Sequence, residues 1–159
     1  MKYVILITPK DEIEIKEYFN FQTIHELVDG FYETCGCFGI LDRMCVMFCN
    51  EEFLFQDNCA FNSVATALAG QPIYGNVVIM MDGYNEENER DALPMDCAEV
   101  QKISAVLNDM RTFIAPTLDE LNVKYKGKKP KPSYKVLAVT EEEFLNALGF
   151  DNETNNRKT

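Results

Sequence analysis

The segment that most constrains the fold is residues 43–81, RMCVMFCNEEFLFQDNCAFNSVATALAGQPIYGNVVIMM. It alternates β-branched and aromatic runs with polar turns, which predicts strand, acidic turn, second strand, short helix, glycine turn and third strand. Residues 44–48 are apolar at every position, a pattern typical of a strand that is covered on both faces. The segment therefore predicts the centre of an α+β domain.

The residues before this segment predict further strands and a helix. Residues 2–8 are apolar and β-branched, and residues 12–18 alternate like a half-exposed strand that pairs back on them. Residues 20–30 predict a short helix, because Thr23 and Glu26 have the spacing of a capping box. The other extended runs are predicted as strands, namely residues 31–38, 42–48 and 53–55.

The following residues predict a short helix, a strand and a loop. Residues 62–68 predict a helix whose first turn is capped by Asn62. Residues 75–81, GNVVIMM, predict a strong strand, and the acid-rich residues 81–94 predict an exposed loop.

A longer helix is predicted over residues 97–114. Asp96 and Glu99 have capping-box spacing at its start. Apolar side chains then recur three and four residues apart, as on one buried helical face. These are Val100, Ile103, Leu107, Met110 and Ile114. The whole pattern predicts an α+β fold with a single mixed, mostly antiparallel sheet and two to four covering helices.

Charge divides the chain into a body, a linker and an appendage. Residues 1–121 hold 7 Lys/Arg and 21 Asp/Glu, whereas residues 122–135 hold six lysines and no acid. The first range is predicted as the α+β domain and the second as a Lys/Pro linker. Residues 136–150 predict a strand-helix appendage, and residues 151–159 a disordered tail.

This charge distribution favours a protein partner over nucleic acid. The net charge of the whole chain is −11, and an acidic body repels the phosphates that give nucleic-acid binding most of its affinity. A basic partner would be attracted, although negative charge can also serve solubility alone. The linker is either a tether or a strip that docks on an acidic surface or on nucleic acid. Its candidate docking residues are Lys124, Lys126, Lys128, Lys129 and Lys131.

The chain is expected to lie in the cytoplasm without membrane contact. Its first residues, MKYVILITPK, lack the pattern of a signal peptide, and no stretch approaches the ~20 apolar residues of a membrane span. Its six cysteines are then expected to be reduced thiols. None of them has the close Cys-x-x-Cys spacing of structural zinc sites, so no metal and no cofactor are predicted.

No catalytic residues are predicted. His25 is the only histidine, and no nucleophile, second ligand or catalytic motif accompanies it. One polar cluster lies around the strand-turn-helix of the central segment, where a helix start can favour an anion. Its members are Asn50, Asp57, Asn58 and Asn62. They are either turn and cap residues or the side chains that bind a small polar ligand.

Four stretches occur in the order of a known family. They are residues 22–33 (QTIHELVDGFYE), residues 49–52 (CNEE), residues 57–67 and residues 73–79 (IYGNVVI). Over about residues 1–82 the chain resembles a small intracellular domain family of bacteria, their phages and mobile elements, whose function is unknown. Asp29 stands where that family often has the first of two glycines, and Phe53 stands where glycine often follows two glutamates. The resemblance implies an α+β fold and a phage or mobile-element context, and it carries over no catalytic residue.

We therefore expect a non-enzymatic acidic accessory or inhibitor protein. In the context that the resemblance implies, it would bind a host macromolecule, such as a defence or nucleic-acid enzyme. The alternative is a small-ligand or nucleotide-sequestering protein that uses the asparagine cluster. An enzyme ranks below both.

Overall fold

A computed structural model describes residues 1–37, 45–113, 120 and 122–124. Strands and helices follow one another in the order β1 (Lys2–Ile7), β2 (Ile13–Tyr18), α1 (Phe21–Leu27), β3 (Tyr32–Cys35), β4 (Cys45–Asn50), α2 (Ser63–Ala69), β5 (Val77–Tyr84), β6 (Arg90–Leu93) and α3 (Cys97–Phe113). The predicted α+β class is confirmed.

The six strands form one sheet in the order β2-β1-β5-β4-β3, with β6 paired to the second half of β5. Every pairing between the described strands is antiparallel. Ile79 at the centre of β5 lies opposite Ile5 of β1 on one side and Met47 of β4 on the other. Strand β5 is long enough to pair with β6 beyond this point, from Met81 to Tyr84.

Helices cover both faces of the sheet. Helices α2 and α3 pack with Ile5, Met47 and Ile79 in the larger apolar layer. Helix α1 packs with Val4, Phe48 and other side chains in a smaller layer on the opposite face. Strand β4 contributes to both layers, because successive side chains of a strand point to opposite faces. The prediction that this strand is covered on both faces is confirmed.

Helix α3 is held by the predicted apolar stripe. Its members within the helix are all buried: Val100, Ile103, Leu107 and Met110, whereas Ile114 lies outside the described residues. The predicted capping box is also present, because the Asp96 amide donates to Glu99 Oε2 and the Glu99 amide to Asp96 Oδ1, both at 2.8 Å.

Helix α1 begins one residue after Asn20, and the predicted Thr23–Glu26 box is wrong. Asn20 Oδ1 accepts a hydrogen bond from the Gln22 amide at 2.9 Å. Thr23 sits at the third helical position of the box that Asn20 opens. Both Thr23 and Asn20 have side chains that can cap a helix, but Asn20 lies three residues earlier and occupies the N-cap position. In α2, the predicted cap Asn62 is confirmed by its acceptance of the Ala65 amide at 3.0 Å.

Two other predictions at the local level are wrong. The predicted strand over residues 53–55 is a turn, in which the Phe53 amide donates to the Asn50 carbonyl oxygen at 3.3 Å. The predicted loop over residues 81–94 is instead the β5–β6 hairpin. Its turn forms because Asn85 Oδ1 accepts from two amides, those of Glu87 and Glu89, both at 3.0 Å.

The predicted linker, appendage and tail lie outside the described residues, except for residues 122–124, which are helical. Their division into domains stays a prediction. Among the described helices, none is both long and apolar enough to cross a membrane.

Candidate functional site

Asn50 joins the end of β4 to the end of α1. Its side-chain Nδ2 donates to the carbonyl oxygens of Val28 at 3.2 Å and Asp29 at 2.8 Å, and its Oδ1 accepts from the Glu52 amide at 2.7 Å. Only 2% of the residue is exposed. Both polar atoms of the side chain are therefore already engaged within the fold.

Asn62 is engaged in the same way on the other side of the sheet. Besides capping α2, its Nδ2 donates to the carbonyl oxygens of Ile7 at 3.1 Å and Gly75 at 2.9 Å, and the residue is fully buried. Asp57 and Asn58 lie exposed on the loop before α2. Ligand binding by these four residues stays a prediction, and two of them have evident structural roles.

Of the predicted docking lysines, the structure describes one. Lys124 is exposed in the helical residues 122–124. The remaining four lie outside the described residues.

A groove opens on the face of the sheet that carries α1, and the sequence did not predict it. It has a volume of about 370 Å³. Its lining comes from the start of α1 and from four strands: Phe21, Thr34, Val46, Phe48, Asp82, Arg90, Asp91 and Ala92. The groove therefore joins β3 and β4 to the β5–β6 hairpin.

Sheet register explains why these residues meet. Thr34 lies opposite Phe48, and Asp82 lies opposite Ala92, and directly opposite residues share a face of the sheet. Val46 lies opposite Met80, two residues before Asp82 on the same face. The sequence predicts β4 itself, but only the strand pairing shows that residues 34, 46, 82 and 92 are neighbours.

The groove has an aromatic wall and floor. Phe48 is buried and meets Tyr32 edge-on with ring centroids 5.3 Å apart. Phe21 is 47% exposed and meets Tyr18 edge-on at 6.4 Å. Burial, with smaller contributions from Tyr32 and Asp91, raises the pKa of Tyr18. Tyr18 therefore remains a neutral phenol at physiological pH, and it adds no charge beside the groove.

The charged side of the groove is formed by the hairpin. Arg90 Nε donates to the two carboxylate oxygens of Asp82 at 2.9 and 3.2 Å, and Arg90 Nη2 also donates to Asp82. The hydrogen bonds from Arg90 hold the pKa of Asp82 below its usual value. Asp91 adds a second carboxylate to this side, and its Oδ1 accepts a hydrogen bond from the Ala92 amide at 2.8 Å. Asp82, Arg90 and Asp91 together carry one net negative charge.

None of the cysteines lines the groove, and two of the inner ones, Cys35 and Cys45, are poor nucleophiles. None of the six forms a disulfide, and Cys35, Cys37, Cys45 and Cys49 belong to the apolar layer under α2 and α3. A hydrogen bond with Cys49 and burial raise the pKa of Cys35, and burial raises the pKa of Cys45 to about 12. Cys35 and Cys45 are therefore thiols at neutral pH, whereas nucleophiles and metal ligands are thiolates.

The described carboxylates and the single histidine lie at or near the surface. None of the described Asp and Glu side chains is buried, although burial is the usual means of separating the pKa values of catalytic acids. No cluster of three or more His, Cys, Asp or Glu side chains in the part of the chain that the structure describes is placed to hold a metal ion. His25 is half-buried and packs edge-on against Phe31 at 5.0 Å.

The described residues of the groove therefore combine an apolar floor with an acidic side. An apolar floor with an acidic side can contact aliphatic groups and cations together. Comparison with curated proteins and with solved structures finds no match. A family model matches residues 1–110, the body that carries all six strands and most of α3, and the chain therefore belongs to the family described as domain of unknown function DUF3846.

Proposed function

We propose that the chain is a non-enzymatic accessory or inhibitor protein whose acidic body binds a partner macromolecule. The observation that carries the proposal is the placement of charge. Residues 1–121 have an excess of 14 acidic over basic residues, and no described carboxylate is withdrawn into the core. A field of this sign steers a basic partner to the surface and repels nucleic acid.

Membership in DUF3846 leaves the host open, and we further propose a phage or mobile-element context. In that setting the partner is a host defence enzyme or a nucleic-acid enzyme. Such enzymes have basic surfaces for DNA or RNA, and an acidic protein can compete for them. The absence of disulfides among the six cysteines supports action in the reducing cytoplasm, where disulfides are rare.

The first test is capture of a protein partner from host lysate at increasing salt. The immobilised full chain should retain a specific protein at ~0.05 M salt and release most of it by ~0.3 M, because salt screens exposed charges. Nuclease treatment of the lysate should leave the capture unchanged, since the acidic body contacts protein. Recovery of no specific protein, or of one that depends on added nucleic acid, would contradict the proposal.

The nucleotide-sequestering alternative is tested in parallel. A ligand that binds the folded chain raises its melting temperature with increasing occupancy. We expect no saturable shift with a panel of nucleotides, because the polar atoms of Asn50 and Asn62 are occupied by backbone partners. A saturable shift would favour the alternative.

A further inference from the structure

We propose that the groove beside α1 binds a basic amphipathic peptide segment of a protein partner. The groove is the one bounded by Phe21, Val46, Phe48, Asp82, Asp91 and Ala92. This inference rests on the proposed function and adds the place of binding and the chemistry of the bound segment.

The apolar floor of the groove favours a ligand that carries an apolar side chain. Val46 and Ala92 are half-buried, so part of each side chain can contact a side chain that enters the groove, whereas Phe48 is buried beneath them. The groove volume of about 370 Å³ is at the lower end of the range for small-ligand sites. It suits one or two large aliphatic or aromatic side chains better than a whole folded surface.

Exposed aromatic rings extend the apolar contact beyond the floor. Phe21 lines the groove and is 47% exposed, and Tyr84 is 67% exposed. Tyr84 lies opposite Arg90 in the hairpin, beside the groove. Exposed aromatic side chains next to a pocket are typical anchors in protein interfaces, because they bury large area at low entropic cost.

The hairpin side of the groove favours a ligand with positive charge. Asp82 and Arg90 neutralise one another, whereas Asp91 contributes an additional negative charge. The exposed glutamates of the same hairpin, Glu86, Glu87 and Glu89, increase the negative potential at its turn. Lysine or arginine residues of the segment would face these carboxylates while its apolar residues occupy the floor.

The same features select a peptide over other ligands. Phosphates of nucleic acid would face Asp91 and the hairpin glutamates and be repelled. A small anion finds the same repulsion, and a purely apolar ligand gains no attraction from the carboxylates. A lysine or arginine side chain satisfies both parts, because its stem lies on apolar surface while its charged head reaches carboxylates.

The test uses a fluorescein-labelled peptide of ~14 residues, with leucines along one helical face and lysines along the other. Its binding to the full chain is followed by fluorescence anisotropy. A peptide with glutamate in place of lysine, and one with serine in place of leucine, test the two halves of the ligand. We expect saturable binding of the first peptide, about tenfold or more weaker binding of the serine peptide and none of the glutamate peptide.

A matched pair of substitutions distinguishes the groove from the general acidity of the chain. Ala92→Arg puts a bulky cation into the groove, and Ala105→Arg adds the same residue on the exposed side of α3, across the sheet. Both change the net charge equally. We expect Ala92→Arg to weaken binding about tenfold or more and Ala105→Arg to weaken it less than about threefold. Equal effects of the two would overturn the proposal.

A second pair guards against loss of folding. Phe21→Ala removes an exposed groove ring, and Phe55→Ala removes a ring that is 84% exposed outside the groove lining. Only Phe21→Ala should weaken peptide binding, with both variants retaining cooperative melting. If Ala92→Arg instead abolishes self-association of the chain in sedimentation, the groove binds a second copy, and the proposed occupant is wrong.

The same variants separate this inference from the proposed function. A partner captured from lysate equally well by the wild type and by Ala92→Arg would leave the acidic-body proposal standing and overturn the groove. Absence of any salt-sensitive partner would contradict the broader proposal itself.

Discussion

The side-chain Nδ2 of Asn50 lies 2.8 Å from the carbonyl oxygen of Asp29 and 3.2 Å from that of Val28. Asp29 has a positive φ of 59°, so the chain leaves α1 through a left-handed residue. The last carbonyls of a helix have no partner within the helix. Asn50 supplies one from β4, and it thereby fixes α1 over the sheet face that carries the groove.

Replacement of Asn50 should destabilise the whole domain. We expect Asn50→Ala to lower the free energy of unfolding by ~2–3 kcal/mol, because the buried Val28 carbonyl, the Asp29 carbonyl and the Glu52 amide lose their partner. Asn58→Ala, at an exposed loop position, should change it by less than ~0.5 kcal/mol. Urea denaturation followed by circular dichroism measures both. A small effect of Asn50→Ala would mean that water replaces the amide at the end of α1.

Gly30 and Asn50 should be energetically coupled. Gly30 has a φ of 146°, and a Cβ there would lie 2.7 Å from Asn50 Nδ2. We expect Gly30→Ala to cost ~2 kcal/mol or more through backbone strain and this clash. At Gly75, with φ 79°, an added Cβ meets Cys59 Sγ at 3.6 Å, an ordinary contact, so Gly75→Ala isolates the strain.

A double-mutant cycle measures this coupling. Combining Gly30→Ala with Asn50→Ala removes the clash, so the double variant should be more stable than the sum of the single effects predicts, by ~0.5 kcal/mol or more. Additive effects would show that Asn50 moves aside without cost when a side chain is added at Gly30.

Local patterns predicted the elements of the fold more reliably than they predicted its surface. The stripe of α3 and the cap at Asn62 depend on residues close in sequence, and both are confirmed. Strand β6 was missed because Arg90 and Asp91 look like loop residues. Pairing with β5 makes them a strand at the rim of the groove. The groove could not be predicted, since Thr34 and Ala92 meet only through the sheet order.

Asn62 should contribute more to stability than an ordinary helix cap. Asn62→Ala removes the α2 cap and leaves the buried carbonyl oxygen of Ile7 and the half-buried one of Gly75 without this donor. We expect a loss of ~2–4 kcal/mol. Asn20 caps α1 at an exposed position, so Asn20→Ala should cost only ~1 kcal/mol. Thermal melting of both variants compares them, and equal losses would show that the two additional bonds contribute little.

The cysteines should differ widely in reactivity. Cys97 is exposed, whereas Cys45 is buried with its pKa raised to about 12. Because the thiolate is the reactive form, iodoacetamide at neutral pH should label Cys97 first and leave Cys45 unmodified until the protein unfolds. Peptide mass spectrometry over a time course gives the order. Early labelling of Cys45 in folded protein would mean that β4 opens readily.

The hairpin beside the groove should lose stability in acid through one ion pair. The pKa of Asp82 is lowered by its hydrogen bonds from Arg90, so the folded state holds the carboxylate in its charged form more strongly than the unfolded chain does. The pair's contribution is therefore fully present above the unfolded aspartate pKa of ~3.9 and is lost as pH falls through the lower folded value. Asp82→Asn should be less stable than wild type at neutral pH, and the two should converge below that window.

Asp57→Asn, at an exposed loop position for which no such bond is found among the described contacts, serves as the control and should follow the wild type throughout. Urea unfolding at a series of pH values between neutral and acid measures the difference, and a constant gap between Asp82→Asn and wild type across the series would assign the effect to packing instead of charge.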